Sequence, residues 1–340
     1  MTYTAGRLRQ THSRATIGAK VADSGARGGF KMRWDDFRRS ENVEDRRGDG
    51  GTGGGFRFPL PGGRRAGGGG LGIGGLIIVG LIAWALGINP LVLIGGLEQI
   101  QGPGMEQTQA PSRPGKAGAP DDNLGQFVSA VLGSTEDRWN EIFSQAGQRY
   151  RAPRLVMFSG GTRSACGFAQ SAMGPFYCPP EQAVYLDTSF FQDLQRRFGA
   201  CPVGSKSCEF SQAYVIAHEI GHHVQNLQGI LEKVREVQSR MGERERNALQ
   251  VRVELQADCY AGVWANKQQS RSTFLEEGDV DAALQTASAI GDDMIQKKTQ
   301  GYVVPDAFTH GSAAQRKRWF MNGFKSGSVQ ACNTFSTESL

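Results

Sequence analysis

The sequence predicts an α+β protein: a helical body beside a small antiparallel sheet, preceded by a disordered tail and one transmembrane helix. Three observations predict it. Beyond residue 123, apolar residues recur at three and four over several long segments, the spacing of helices that bury one face. Two short runs among them, 154–159 and 182–187, are rich in residues that favour strands. Ahead of both, residues 71–88 read LGIGGLIIVGLIAWALGI, uncharged and about long enough to cross a hydrocarbon core.

In chain order, residues 1–70 hold 14 Lys plus Arg against 7 Asp plus Glu, with glycine tracts at 48–55 and 62–70. Such composition cannot bury a core, so they read as a disordered basic cytoplasmic tail. Only 32–49 has the paired charges and aromatics, Trp34 and Phe37, of a short docking element. The true start is Met1 or Met32, and His12, in the stretch before Met32, has no role. The apolar stretch resumes at 91–97 behind Asn89-Pro90, giving one membrane segment at 71–97. Five glycines in residues 71–88 argue against a soluble core helix. A cleaved leader would need an amino region of about 70 residues, far beyond the usual form. Arg57, Arg64 and Arg65 precede the segment and no Lys or Arg follows it until Arg113, so the amino end stays cytoplasmic and the rest is exported. Residues 98–122, rich in Gly, Pro, Gln and Ala, make a flexible linker. Residues 71–340 carry 24 Lys plus Arg against 26 Asp plus Glu, so the net charge of +5 belongs to the tail. With no recognisable nucleic-acid module beside it, that charge makes no case for nucleic-acid binding.

Residues 123–340 are enough for one domain with a single core. Helices are expected over 124–148 and 188–198, from Ser211 as N-cap to Gly229, and over 247–268, 279–297 and 313–324. All six cysteines lie beyond the membrane segment, an even count that suggests disulfides in an oxidising compartment. Cys166 with Cys178 and Cys201 with Cys208 would close small loops, leaving Cys259 for Cys332. No CxxC pair points to a cysteine metal site instead.

The chemistry is concentrated in His218-Glu219-Ile220-Gly221-His222, set in a mostly apolar helical run. Residues four apart share one helix face, so the imidazoles of His218 and His222 can grip one zinc ion, with Glu219 beside the ion as general base. His223 points away from that face and reads as supporting or structural. A catalytic zinc has three protein ligands and keeps a fourth position for water. No third histidine follows six residues on, where Gln228 stands. The segment 247–268, NALQVRVELQADCYAGVWANKQ, offers Glu254 as third ligand. Asp258, one turn on, can hold the ring N–H of a zinc-bound histidine.

AHEIGHHVQ, ELQADCYAGVWA, THGSAAQRKRWF and the early MRWDDFRRSENVEDRRG together resemble the bacterial putative neutral zinc metallopeptidases, single-pass membrane proteins, over nearly the whole chain from Met32. The resemblance implies a zincin-like peptidase with His218 and His222 as ligands, Glu219 catalytic and Glu254 as third ligand. It also implies the bacterial inner membrane, with the catalytic domain periplasmic or extracellular. The expected reaction is hydrolysis of a protein or peptide by a water that zinc acidifies towards a pKa of about 7. His310 is the expected oxyanion donor, with Tyr260 and Tyr302 as alternatives, though a loop histidine capping the last helix would look the same. The run 182–187 is the expected edge strand for an extended substrate. A zinc-binding quality-control or scaffold protein with little turnover is the alternative function; it would not need Glu219.

Overall fold

The structure, a computed structural model, describes residues 32–48, 116–118, 120–170, 174–190, 208–276 and 278–340. The expected membrane segment 71–97, most of the linker, the helix 188–198 past residue 190 and Cys201 of the expected Cys201–Cys208 pair lie outside these. Among the described residues no helix is long and apolar enough to cross a membrane.

The strands are β1 (Val43–Asp45), β2 (Lys116–Ala117), β3 (Arg154–Phe158), β4 (Gly161–Ser164), β5 (Gly167–Gln170), β6 (Phe176–Cys178) and β7 (Ala183–Asp187). Five form one sheet in the order β2-β1-β3-β7-β6, and β4 with β5 makes a separate hairpin. The sheet is mixed, not antiparallel as the sequence suggests. β1 with β3 and β3 with β7 run parallel, while β2 and β6 flank them antiparallel. The reason is a crossover: α1 (Asn123–Gln145) carries the chain from β2 back to the far side of β1 before β3 begins. β3 and β7 are buried almost end to end, as inner strands with both faces covered are. Leu155 and Met157 face the main core, whereas Val156 and Phe158 face a smaller one with Ala169, Cys178, Ala183 and Tyr185.

A second correction concerns the tail, because residues 32–48 belong to the folded body. Met32, Trp34, Phe37 and Val43 are buried in the main core. β1 pairs with β3 with Glu44 opposite Val156. The buried carboxylate of Glu136 on α1 accepts from Ser40 Oγ and Asn42 Nδ2, both at 2.7 Å, and from Arg38 Nη2 at 2.6 Å. Overall charge density hides these apolar side chains, which find their partners only across long sequence distances.

The other helices are α2 (Cys208–Leu227), α3 (Ile230–Gln238), α4 (Glu243–Arg271), α5 (Asp279–Ala289), α6 (Asp292–Gln300) and α7 (Ala313–Ser326). The expected helix 279–297 is two, broken at Gly291. A Cβ there would lie 2.5 Å from Ala313 N, so the break lets α7 start close by. α2 packs on α4 through Gly221, where a Cβ would lie 2.9 Å from both Cα and O of Ala257. α4 packs on α7 through Gly262 and Gly323, each against backbone of the other helix. A capping box between Ser312 and Gln315 starts α7. Cys166–Cys178 and Cys259–Cys332 are disulfides, the second tying α4 to the carboxy-terminal turn.

Candidate metal centre and its cleft

α2 presents His218 and His222 one turn apart, and α4 crosses it closely enough at Gly221 to bring Glu254 between them. Glu254 Oε2 lies 3.2 Å from His218 Nε2 and 3.4 Å from His222 Nε2. One ligand atom from each residue falls within 4.8 Å of the others.

Both rings are oriented from behind. Asp258 Oδ1 accepts from His218 Nδ1 at 2.8 Å, which leaves Nε2 turned to Glu254. Gln225 Oε1 accepts from His222 Nδ1 at 2.9 Å. The Gln225 amide is itself fixed, since its Nε2 donates to Val253 O at 2.8 Å and to Gln256 Oε1 at 3.0 Å. The other Glu254 oxygen, Oε1, accepts from Gln250 Nε2 at 2.8 Å.

The donor set fits zinc. Ligand bonds of about 2.0–2.1 Å at tetrahedral angles put neighbouring ligand atoms about 3.3–3.4 Å apart, close to the two separations between Glu254 and the histidines. Each histidine has its second nitrogen committed to an oxygen acceptor, as metal-ligating histidines do.

The charges agree. Burial alone would raise the Glu254 carboxyl, but His222 and His218 hold it well below the usual carboxylate range. Burial likewise works against the Asp258 anion, yet Arg316 and His218 bring it down to about 2. Arg316 Nε and Nη2 each donate to Asp258 at 2.9 Å, and Tyr214 OH donates to the same carboxylate. Desolvation disfavours protonated His218, but Asp258 and Glu254 raise it to about 10.

Glu219 lines the same cleft, a cavity of about 630 Å³. Its walls come from Phe176 and Tyr177 of β6, from Leu231 and Val234 of α3, and from Ile290, Ile295 and His310. His310 has about half its side chain exposed. Its Nδ1 lies 3.2 Å from Asp292 Oδ1, and Asp292 Oδ2 accepts from the backbone N–H groups of Thr309, His310 and Gly311. Burial lowers the His310 imidazole, but the Asp292 and Glu254 carboxylates raise it on balance. Of the three residues suggested for the oxyanion, His310 alone lines the cleft. Tyr260 is buried with its hydroxyl donating to Gln228 Oε1 at 2.8 Å, and Tyr302 stands exposed outside.

His223 is a structural tie. Its Nε2 donates to Arg151 O at 2.6 Å, since a carbonyl only accepts, so Nδ1 accepts from Tyr177 OH at 2.9 Å. Burial pushes it down to about 4 and keeps it neutral. The expected edge strand is corrected: β7 lies between β3 and β6, and among the described residues β6 forms the edge beside the cleft.

Sequence reasoning missed Gln225 and the pairing of Arg316 with Asp258. A signal existed for each. Gln225 stands three residues after His222, the reach of a same-face contact. Arg316 shares its buried stripe with Trp319, Phe320 and Gly323, where a charge demands a buried partner.

A family model described as putative neutral zinc metallopeptidase matches residues 32–335. The chain is 46% identical over 308 residues to the uncharacterized protein YpfJ of Escherichia coli (strain K12), covering 89% of this chain and 99% of the relative. It is 41% identical over 227 residues to the uncharacterized protein Rv2575 of Mycobacterium tuberculosis (strain ATCC 25618 / H37Rv), covering 64% of this chain and 74% of the relative. No solved structure matches it.

Proposed function

The chain belongs to the putative neutral zinc metallopeptidase family, and from that premise we propose that it is a membrane-attached, exported endopeptidase that hydrolyses protein or peptide substrates. The observation that carries the reading is the convergence of His218, His222 and Glu254 at the floor of an open cleft that Glu219 also lines. A zinc ion held by those three residues would polarise and acidify a water molecule. Glu219 takes the proton of the attacking water and delivers it to the departing amine. Asp258 and Gln225 hold the two imidazoles in the tautomer that leaves Nε2 free for metal. His310, oriented by Asp292, donates to the oxyanion that develops at the scissile carbonyl. An extended peptide joins the outer edge of β6, which carries Phe176 and Tyr177 to the cleft.

Glu219 favours turnover over a zinc-holding scaffold, which would need the ligands alone. Export is supported by the two disulfides, which persist in oxidising compartments. Membrane attachment rests on the uncharged run in 71–97. The test is metal content of the purified full-length chain together with a peptide-hydrolysis screen, with and without a chelator. One zinc per chain and chelator-sensitive cleavage are expected. Zinc without cleavage of any peptide would leave the scaffold reading in its place.

A further inference from the structure

Resting on the membrane attachment proposed above, we infer that residues 32–48 and the zinc-site body stand on the same side of the membrane. The inference comes from where the chain departs and returns. β1 is its last described strand before the apolar stretch and β2 its first after it, and the two are antiparallel neighbours with Asp45 opposite Lys116. Partners in such a ladder have Cα atoms about 4.5–5.5 Å apart, whereas a single crossing separates its two ends by about 30 Å of hydrocarbon.

The closure is reinforced from both sides. Arg47, just after β1, donates to Asp122, just before α1, through Nη1 at 2.9 Å and Nη2 at 2.6 Å. β1 is also held by β3 along its whole length. Moving residues 32–48 across a bilayer would strip Met32, Trp34, Phe37 and Val43 from the core. It would also leave buried Glu136 without its Ser40 and Asn42 donors. Against this, the argument for a cytoplasmic amino end is a statistical bias of basic residues, which a folded contact overrides.

The test labels the full-length chain in spheroplasts with a membrane-impermeant maleimide before and after permeabilisation. Exposed Asp36→Cys reports residues 32–48 and exposed Lys325→Cys reports the body, each read over the parent chain's background. Both positions should react before permeabilisation. Reaction of both only afterwards would keep the inference and overturn export. Reaction of one before and the other only afterwards would overturn the inference. As a check that does not depend on sidedness, Asp45→Cys with Lys116→Cys in the full-length chain should cross-link on mild oxidation in membranes. Failure of that pair to cross-link would also overturn it.

Discussion

Glu254 and Asp258 sit one turn apart on α4, and their surroundings give them different work. Glu254 faces two imidazole nitrogens and opens to the cleft. Asp258 is fully buried and bound by Arg316, Tyr214 and His218. Glu254→Ala should abolish or greatly weaken zinc binding, whereas Asp258→Ala should weaken affinity or activity by about 10–100-fold. Glu219→Gln should keep zinc and lose hydrolysis, since it deletes the base and spares the ligands. Zinc titration and turnover on the same three variants check this set, and full affinity in Glu254→Ala would remove that residue from the ligand set. His310→Ala should lower turnover by about 100–1000-fold with zinc content unchanged. A loss of thermal midpoint with turnover per folded molecule intact would instead make it a capping residue.

At the scale of elements, the site depends on how closely α2 and α4 approach. Gly221→Ala should force the helices apart against Ala257, destabilising the fold by about 1–3 kcal/mol and weakening zinc binding. Unchanged melting and zinc affinity would show that the approach has room to spare. The other face of α2 is tied to the loop before β3 by neutral His223, which gives a pH signature. Its folded value of about 4 lies below the ordinary 6.5, so the unfolded chain binds more protons between those limits. Stability from this group is therefore full above about pH 6.5 and falls as pH drops towards about 4, by about 1.4 kcal/mol per pH unit. Melting curves of the metal-free protein should show that slope, and His223→Gln should flatten it. Equal slopes in the two proteins would contradict a neutral buried imidazole.

For the whole molecule, the Cys259–Cys332 bridge closes a loop with a sequence separation of 73 and joins α4, which carries Glu254, to the last turn of the chain. Gln256 Nε2 donates to Cys332 O at 3.1 Å and Gln256 also receives from Gln225, so the tie runs to the back of His222. By the chain-entropy estimate a loop of this length stabilises by about 4 kcal/mol. Cys332→Ala should lower unfolding free energy by about that amount in denaturant titrations. A change of under about 1 kcal/mol would mean that packing of the carboxy-terminal turn holds without the bridge. Residues 32–48 act at the same scale, as an early segment that supplies a strand and donors to a body formed mostly after residue 120.

Features that depend on neighbours a few residues apart were legible in the sequence. His218, Glu219 and His222 are placed by helical pitch alone, and Glu254 and Asp258 by one turn of another helix. The helices themselves, apart from the break at Gly291 and the unforeseen α3, follow from the spacing of their apolar residues. Tertiary structure decided the rest. Strand direction, the inner position of β7 and the edge position of β6 are set by which strands meet, and alternation along one strand says nothing of its neighbours. Arg316 finds Asp258 across 58 residues and Ser40 finds Glu136 across 96, so no local pattern contains either pair. The burial of residues 32–48 is the clearest case. Their composition is that of a solvated tail, and only a partner surface on α1, β3 and Phe274, distant in sequence, makes burial of Met32, Trp34, Phe37 and Val43 favourable.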